Sequence, residues 1–329
     1  MNFKKAMMAS MIISSLCMTL AGPISVEAVS ANEQQKKIET KKFNIDKKLA
    51  AKLQKAVEQY AGKTIKLENV GTFQNLNIVV VQSTDGKYGV EFESRQDKIW
   101  NVYEKIKITE VSKKLKDDIL KNLKKAYPNK KYVFNNEVVK SQYYNNSKSE
   151  ISKEYITYNL NGEDFQTVAI TNPVEREAHI RVTIQVDKKD IDPKMLKTAQ
   201  EAIKTVFDHQ FDVNKAQLES GWTDREWTLQ DDTATVYMLS GKPISIVNEQ
   251  GNKVTTSKEL TEKEVKEVVA PLAKQVFNVD ISEYAVKWDS LFKDYRFVNK
   301  EQTTVVRAAL DADKNLVYIK TGGRAAAGN

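Results

Sequence analysis

Four times along this chain, a stretch of helical periodicity gives way to runs of β-branched and aromatic residues. This alternation limits the fold more than any single motif does. The last copy is the clearest. Thr261, with Glu264 three residues on, reads as a capping box: the hydroxyl accepts from an amide of the first turn, and the glutamate reaches back to the cap. Leu260 and Val265 flank the cap at staple positions. Val265, Val268, Val269, Leu272 and Val276 follow helical spacing, with Pro271 predicted to kink or shorten the helix. Trp288 and three β-rich runs follow, at 295–299, 303–310 and 316–320.

Three earlier copies are more diverged. Leu49, Leu53, Val57 and Tyr60 mark a helix stopped by Gly62, and Asp85-Gly86 separates two apolar runs as a hairpin turn. Leu115, Ile119, Leu123 and Tyr127 form a second stripe, ended by Pro128. An insertion containing Tyr143 and Tyr144 follows it, and then a meander with Asn161-Gly162 at its first turn. The third helix opens at Asp192 with Pro193 in the first helical position and carries Leu196, Ala199, Ile203 and Val206. Helix starts near 46, 112, 192 and 261 lie 66, 80 and 69 residues apart. An aromatic recurs at similar depth in each copy, as Phe73, Tyr143, Trp222 and Trp288. The pattern predicts an α+β protein of tandem units, each one helix packed on a three- to four-stranded antiparallel meander. The units would be 45–109, 110–190, 191–258 and 259–321.

The amino end reads as an export signal. Lys4 and Lys5 precede an apolar run of about 14 residues, 7–20, too short for a comfortable membrane span. Small residues before Ala31 favour cleavage there, giving a signal peptide of 1–31 and a polar leader of 32–44; a flexible tail occupies 322–329. Cleavage removes the only cysteine, Cys17, so the mature chain has no disulfide. It also removes Lys4, Lys5 and Glu27, lowering the formal charge from +7 to +6. A balance this mildly basic permits attraction to anionic polymers without calling for nucleic acid. The expectation is a secreted, extracellular or cell-wall-associated protein of Gram-positive type, with no membrane span after cleavage.

Chemistry is sparse. The two histidines, His179 and His209, have no metal-ligand spacing, and His209 reads as a partner for a helix carboxyl end. No phosphate-binding loop or nucleophile elbow is present. Asp231-Asp232 and Asp311/Asp313 fit hairpin turns better than a calcium loop. No catalytic, cofactor or metal residue is therefore assigned, and a hydrolase with carboxylates unrecognisable in sequence is kept as a rival. Trp100, Trp222, Trp227 and Trp288 are the candidate partner-binding residues, although each sits at or beside a strand where packing is the ordinary role. Eight lysines fall within 113–131, against only Asp117 and Asp118. Of these, Lys113, Lys114, Lys121, Lys124 and Lys125 are candidates for binding an anionic wall polymer, weighed against a merely solvated helix face.

The helix-then-meander order resembles the PepSY-like repeats of secreted bacterial proteins. The likeness is carried by Gly86-Lys87-Tyr88-Gly89-Val90-Glu91-Phe92 and by Ala309-Leu310-Asp311-Ala312-Asp313-Lys314-Asn315-Leu316-Val317. The second stretch is similar to that family's Asp-x-x-x-Gly-x-Val hairpin, with Asn315 where glycine is usual. The resemblance implies cystatin-like units and a non-catalytic module that restrains or binds an exported protein, a peptidase being the sharper expectation.

Overall fold

The computed structural model describes residues 42–73, 77–172, 178–221, 225–249 and 256–322. The signal segment, nearly all of the leader, the tail from residue 323 and Trp222 lie outside the described residues. The chain divides into two compact units, Met1–Val182 and Thr183–Asn329.

In the first unit, β1 (Lys42–Asn44) precedes α1 (Lys47–Ala61), and then β2 (Val70–Phe73), β3 (Ile78–Gln82), β4 (Tyr88–Glu93) and β5 (Lys98–Lys107). After α2 (Lys113–Ala126) come β6 (Glu137–Asn145), β7 (Glu150–Ile151), β8 (Ile156–Asn161) and β9 (Phe165–Thr171). The strand β10 (His179–Gln185) lies at the border of the units. The second unit holds α3 (Pro193–Phe207), β11 (Lys215–Ser220), β12 (Glu226–Gln230), β13 (Ala234–Leu239) and β14 (Lys242–Asn248). It continues with α4 (Glu262–Phe277), β15 (Ala285–Asp289), β16 (Asp294–Val298), β17 (Thr304–Leu310) and β18 (Leu316–Thr321).

The helices form where caps and periodicity place them. The Asp46 carboxylate accepts from the Leu49 amide at 2.8 Å, and Gly62 closes α1 in the left-handed region at φ 67°. Ser112 caps α2 through the Leu115 amide, and Asp192 caps α3 through Lys194. At α4 both halves of the capping box are made, with Glu264 Oε2 2.9 Å from the Thr261 amide. This helix runs through Pro271 without being shortened. In α3 the buried stripe is Met195, Ala199, Ala202 and Ile203, so Met195 takes the place predicted for Leu196.

The predicted architecture of tandem helix-on-meander units is overturned. Strand outweighs helix, 41% to 25%, with eighteen strands and four α-helices among the described residues. Within each unit the sheet does not stop at the predicted boundaries. In the first unit β5 pairs antiparallel with β6 over seven residue pairs, Asn101↔Tyr143 to Lys107↔Glu137, so the stretch read as an insertion is a central strand. In the second, β14 pairs with β18 through Ser245↔Lys320, Ile246↔Ile319 and Val247↔Tyr318. The physical reason is edge satisfaction. A separate small meander would leave long rows of unpaired amides and carbonyls, and merging the ladders satisfies them.

Register sorts the side chains of the second unit. Trp288, Tyr295, Ala308, Ile319, Ile246, Val236 and Leu229 are successive cross-strand neighbours on one face. From Tyr295 onward this row is buried, and it is the packed face of the sheet. Paired residues share a face, so the residues alternating with this row line the other, open face.

Candidate functional site

The open face of the second unit carries a connected set of charged and hydroxyl groups. Arg307 on β17 donates from Nε to Asp294 Oδ2 at 2.7 Å, and from an Nη to Asp294 Oδ1 at 2.5 Å and to Asp289 Oδ2 at 2.9 Å. The Tyr318 hydroxyl donates to the same Asp294 carboxylate, which is fully buried. Burial pushes the Tyr318 hydroxyl well above its ordinary range, and the bond to Asp294 adds to this. The Arg307 guanidinium is held charged above its usual range, chiefly by Asp294. Burial would raise the Asp289 carboxyl, but Arg307 and the amides of Phe292 and Leu291 outweigh it, and the net direction is down.

Those amides belong to the tip of the β15–β16 hairpin, which Asp289 Oδ1 pins by accepting from Leu291 at 3.0 Å and Phe292 at 3.3 Å. The tip raises two apolar side chains into solvent, Leu291 at 81% and Phe292 at 60% exposure. The Phe292 ring lies against the Arg307 guanidinium, 4.6 Å from its centroid. Beside it opens a hollow of about 520 Å³, lined by Phe292, Tyr318 and Lys320 together with Tyr237, Ile244, Val247, Ser245 and Glu226. Rigid aromatic groups on a fixed sheet, with a charged rim, suit recognition at low entropic cost.

The tryptophans are placed differently. Trp227 pairs across to Leu218 and Met238, both fully buried, and Trp288 stacks edge-on against Tyr295 with centroids 5.0 Å apart. Both are half-buried on the packed face. Trp100, in the first unit, is half-buried as well, and its indole nitrogen has no hydrogen-bond partner among the described residues. The structure does not set Trp227 or Trp288 beside that hollow, both lying on the packed face of the second unit, and Trp100 belongs to the first unit. The aromatics it does assemble are Phe292, Tyr318 and Tyr237. A sequence signal for them existed only in the alternation of the last strands, where Tyr318 and Lys320 share a parity.

Lys113, Lys114, Lys121, Lys124 and Lys125 are all exposed on α2, with Lys113 paired to Asp117 at 2.6 Å. Lys124 also lines a hollow of about 470 Å³ with Lys130, Lys131 and Tyr132, in which Lys130 is paired to Asp164 at 2.9 Å. His209 does not serve the end of α3 as predicted. Its Nε2 lies 2.7 Å from Asp231 Oδ2 and 2.7 Å from Thr233 Oγ1, in the β12–β13 turn. Asp231 accepts there from the Thr233 and Ala234 amides, the turn chemistry expected of it.

In the first unit Glu91 is fully buried on β4, and both its carboxylate oxygens lack a partner among the described residues. Burial pushes its carboxyl up to about 8, with the neighbouring Asn101 side chain working the other way. No cluster of three or more potential metal ligands occurs among the described residues. No described helix is long and apolar enough to cross a membrane. Comparison with family models, curated proteins and solved structures finds no match for this chain.

Proposed function

We propose that this is a secreted, non-catalytic protein-binding module that engages an exported protein through the open sheet face and the β15–β16 hairpin tip of its second unit. Restraint of an exported peptidase is the sharper form: the projecting tip enters the partner's cleft while the sheet face covers its rim. The observation that carries the reading is the pair Leu291 and Phe292, 81% and 60% exposed on a tip pinned by Asp289 beside an aromatic hollow. Apolar anchors held rigidly in solvent cost stability of solvation and make sense as contacts awaiting a partner. The PepSY-like resemblance implies the same kind of role.

The test is capture from the producer's own culture supernatant and wall fraction, at low and high salt, using the purified mature chain and a Leu291→Ser/Phe292→Ser variant. The reading expects an exported protein retained at high salt by the parent chain and lost by the variant. Equal retention by both would overturn it.

A second reading, binding of an anionic wall polymer, is favoured by the exposure of Lys121, Lys124 and Lys125 on α2, where none of the three makes an ion pair among the described residues. It expects retention on wall material that disappears with salt and with charge reversal at those three lysines.

A further inference from the structure

The strand register makes a line of four cations across the open face of the second unit. Lys287 pairs with Arg296, Arg296 with Arg307, and Arg307 with Lys320. Like charges directly opposite one another on a sheet repel, so such a row needs anions. Two carboxylates on this face, Asp289 and Asp294, are committed to its middle, and Glu226, which lines the hollow, makes no ion pair with Lys320 among the described residues. Asp294 is bound to Arg307, and Asp289 is shared between Arg307 at 2.9 Å and Arg296 at 3.6 Å. Neither end of the row has a carboxylate in ion-pair contact among the described residues. Lys287 Nζ donates to the neutral Gln302 Oε1 at 2.7 Å. Lys320 makes no ion pair among the described residues; its Nζ lies 5.1 Å from the Tyr318 ring centroid. Burial, and then the facing Arg307, disfavour its charge, against a smaller favourable pull from Asp294. The attraction of an anion arriving at Lys320 would offset both effects.

Lys320 also borders the hollow formed with Phe292, Tyr318 and Val247. The two ends of the row, neither of them ion-paired among the described residues, are three strand spacings apart, about 14 Å, which is the reach of about four residues of extended chain. We infer that this face binds an acidic, extended peptide segment of the partner protein. One carboxylate of the segment pairs with Lys320 and a second, about four residues away, pairs with Lys287. An apolar side chain next to the first enters the hollow against Phe292. This deepens the protein-binding reading and rests on it. A phosphate polymer would satisfy the cations but would have no use for the aromatic hollow.

The probe is a fluorescein-labelled decapeptide with two glutamates four residues apart and a phenylalanine beside one of them, titrated by anisotropy against the full mature chain. Controls are the same peptide with glutamine for both glutamates, and an inorganic polyphosphate. The inference expects the glutamine peptide to bind at least about tenfold more weakly, the worth of a charge-assisted hydrogen bond in a partly desolvated place. Lys320→Met should lose about as much, whereas charge reversal at Lys121, Lys124 and Lys125 should change nothing. Lys320→Met keeps most of the side chain's packing, and unchanged thermal unfolding would certify the fold.

Equal binding of the glutamate and glutamine peptides overturns the inference, as does indifference to Lys320→Met. Polyphosphate binding that matches the acidic peptide and ignores Phe292→Ala would assign the face to a polymer, and also overturns it. Should supernatant capture still depend on Leu291 and Phe292 while the peptide fails, the protein-binding reading stands and only the acidic-segment inference falls.

Discussion

Arg307→Met should cost the second unit far more than loss of a surface cation. Asp294 is fully buried and receives two bonds from Arg307 and one from Tyr318. Removing the guanidinium leaves a buried carboxylate with a single hydroxyl donor. Breaking a buried pair from one side costs about 3–5 kcal/mol, against about 0–1 for an exposed pair. The Arg307 side chain keeps 15% of its exposure, so water softens the loss, and the lower end, about 3 kcal/mol, is the expectation. With a urea dependence of about 2 kcal/mol per molar, the midpoint should fall by about 1.5 M. Asp294→Asn keeps the shape and leaves Arg307 with Asp289, so its cost should be about 1–2 kcal/mol. The double variant should fall short of the sum by about 2 kcal/mol, because the second change removes the charge that the first one stranded. The assay is urea unfolding by tryptophan fluorescence in a Trp100→Phe background. Trp222, Trp227 and Trp288 all belong to the second unit, so the remaining signal reports on it alone. Additivity within about 0.5 kcal/mol would refute the reasoning, since distant or independent sites add to that tolerance.

Two further outcomes concern pH. Glu91 has its folded-state carboxyl raised to about 8, so the folded chain holds a proton the unfolded chain releases, and stability drains away as pH rises from about 4.5 through 8. Glu91→Gln should remove that slope and stabilise the protein on the order of 3 kcal/mol at pH 7, with little gain at pH 4.5; parallel stability curves for the two proteins would sink the argument. Glu264 is the opposite case, lowered to about 2 by its bonds from Thr261 and then Lys314. Its contribution is complete above about 4.5 and is lost as pH falls through 2, so Glu264→Gln should melt lower than the parent at pH 6 and converge with it near pH 2. A constant gap across that range would show that the capping box matters by shape alone.

The helices were readable because their information is local. Asp46, Ser112, Asp192 and Thr261 announce caps within a few residues of the amides they satisfy. The last three strands were readable for a similar reason, since Val, Ile, Phe and Tyr dominate them. Strands β2, β6, β11 and β15 were not. Lys140, Ser141 and Gln142 interrupt the middle of β6, and β11 reads Lys-Ala-Gln-Leu-Glu-Ser, so neither looks like a buried strand until its neighbours supply the packing. The helix-on-meander expectation failed at the ladders that merge the meanders, because pairing partners far apart in sequence leave no local trace. The same holds for the site. Lys287, Arg296, Arg307 and Lys320 look like scattered charges, and Phe292 like a stray apolar residue in a turn. Only the register aligns the four cations, and only the Asp289 side chain fixes the turn.

The place of β18 in its ladder has a consequence for how the second unit is made. This strand lies between β14 and β17 and touches both, although it is the last of the unit to be synthesised. A chain emerging amino end first must hold β14 with a bare side until residue 320 or so appears. Closing that seam joins Ser245 to Lys320 in one late, long-range step. Premature termination near residue 314 would therefore not trim an edge. It would remove the seam's inner strand and leave two half-sheets with raw edges, a form ready to aggregate or be degraded. A truncated second unit is therefore expected to be cleared and not to persist with half of its sheet face on display.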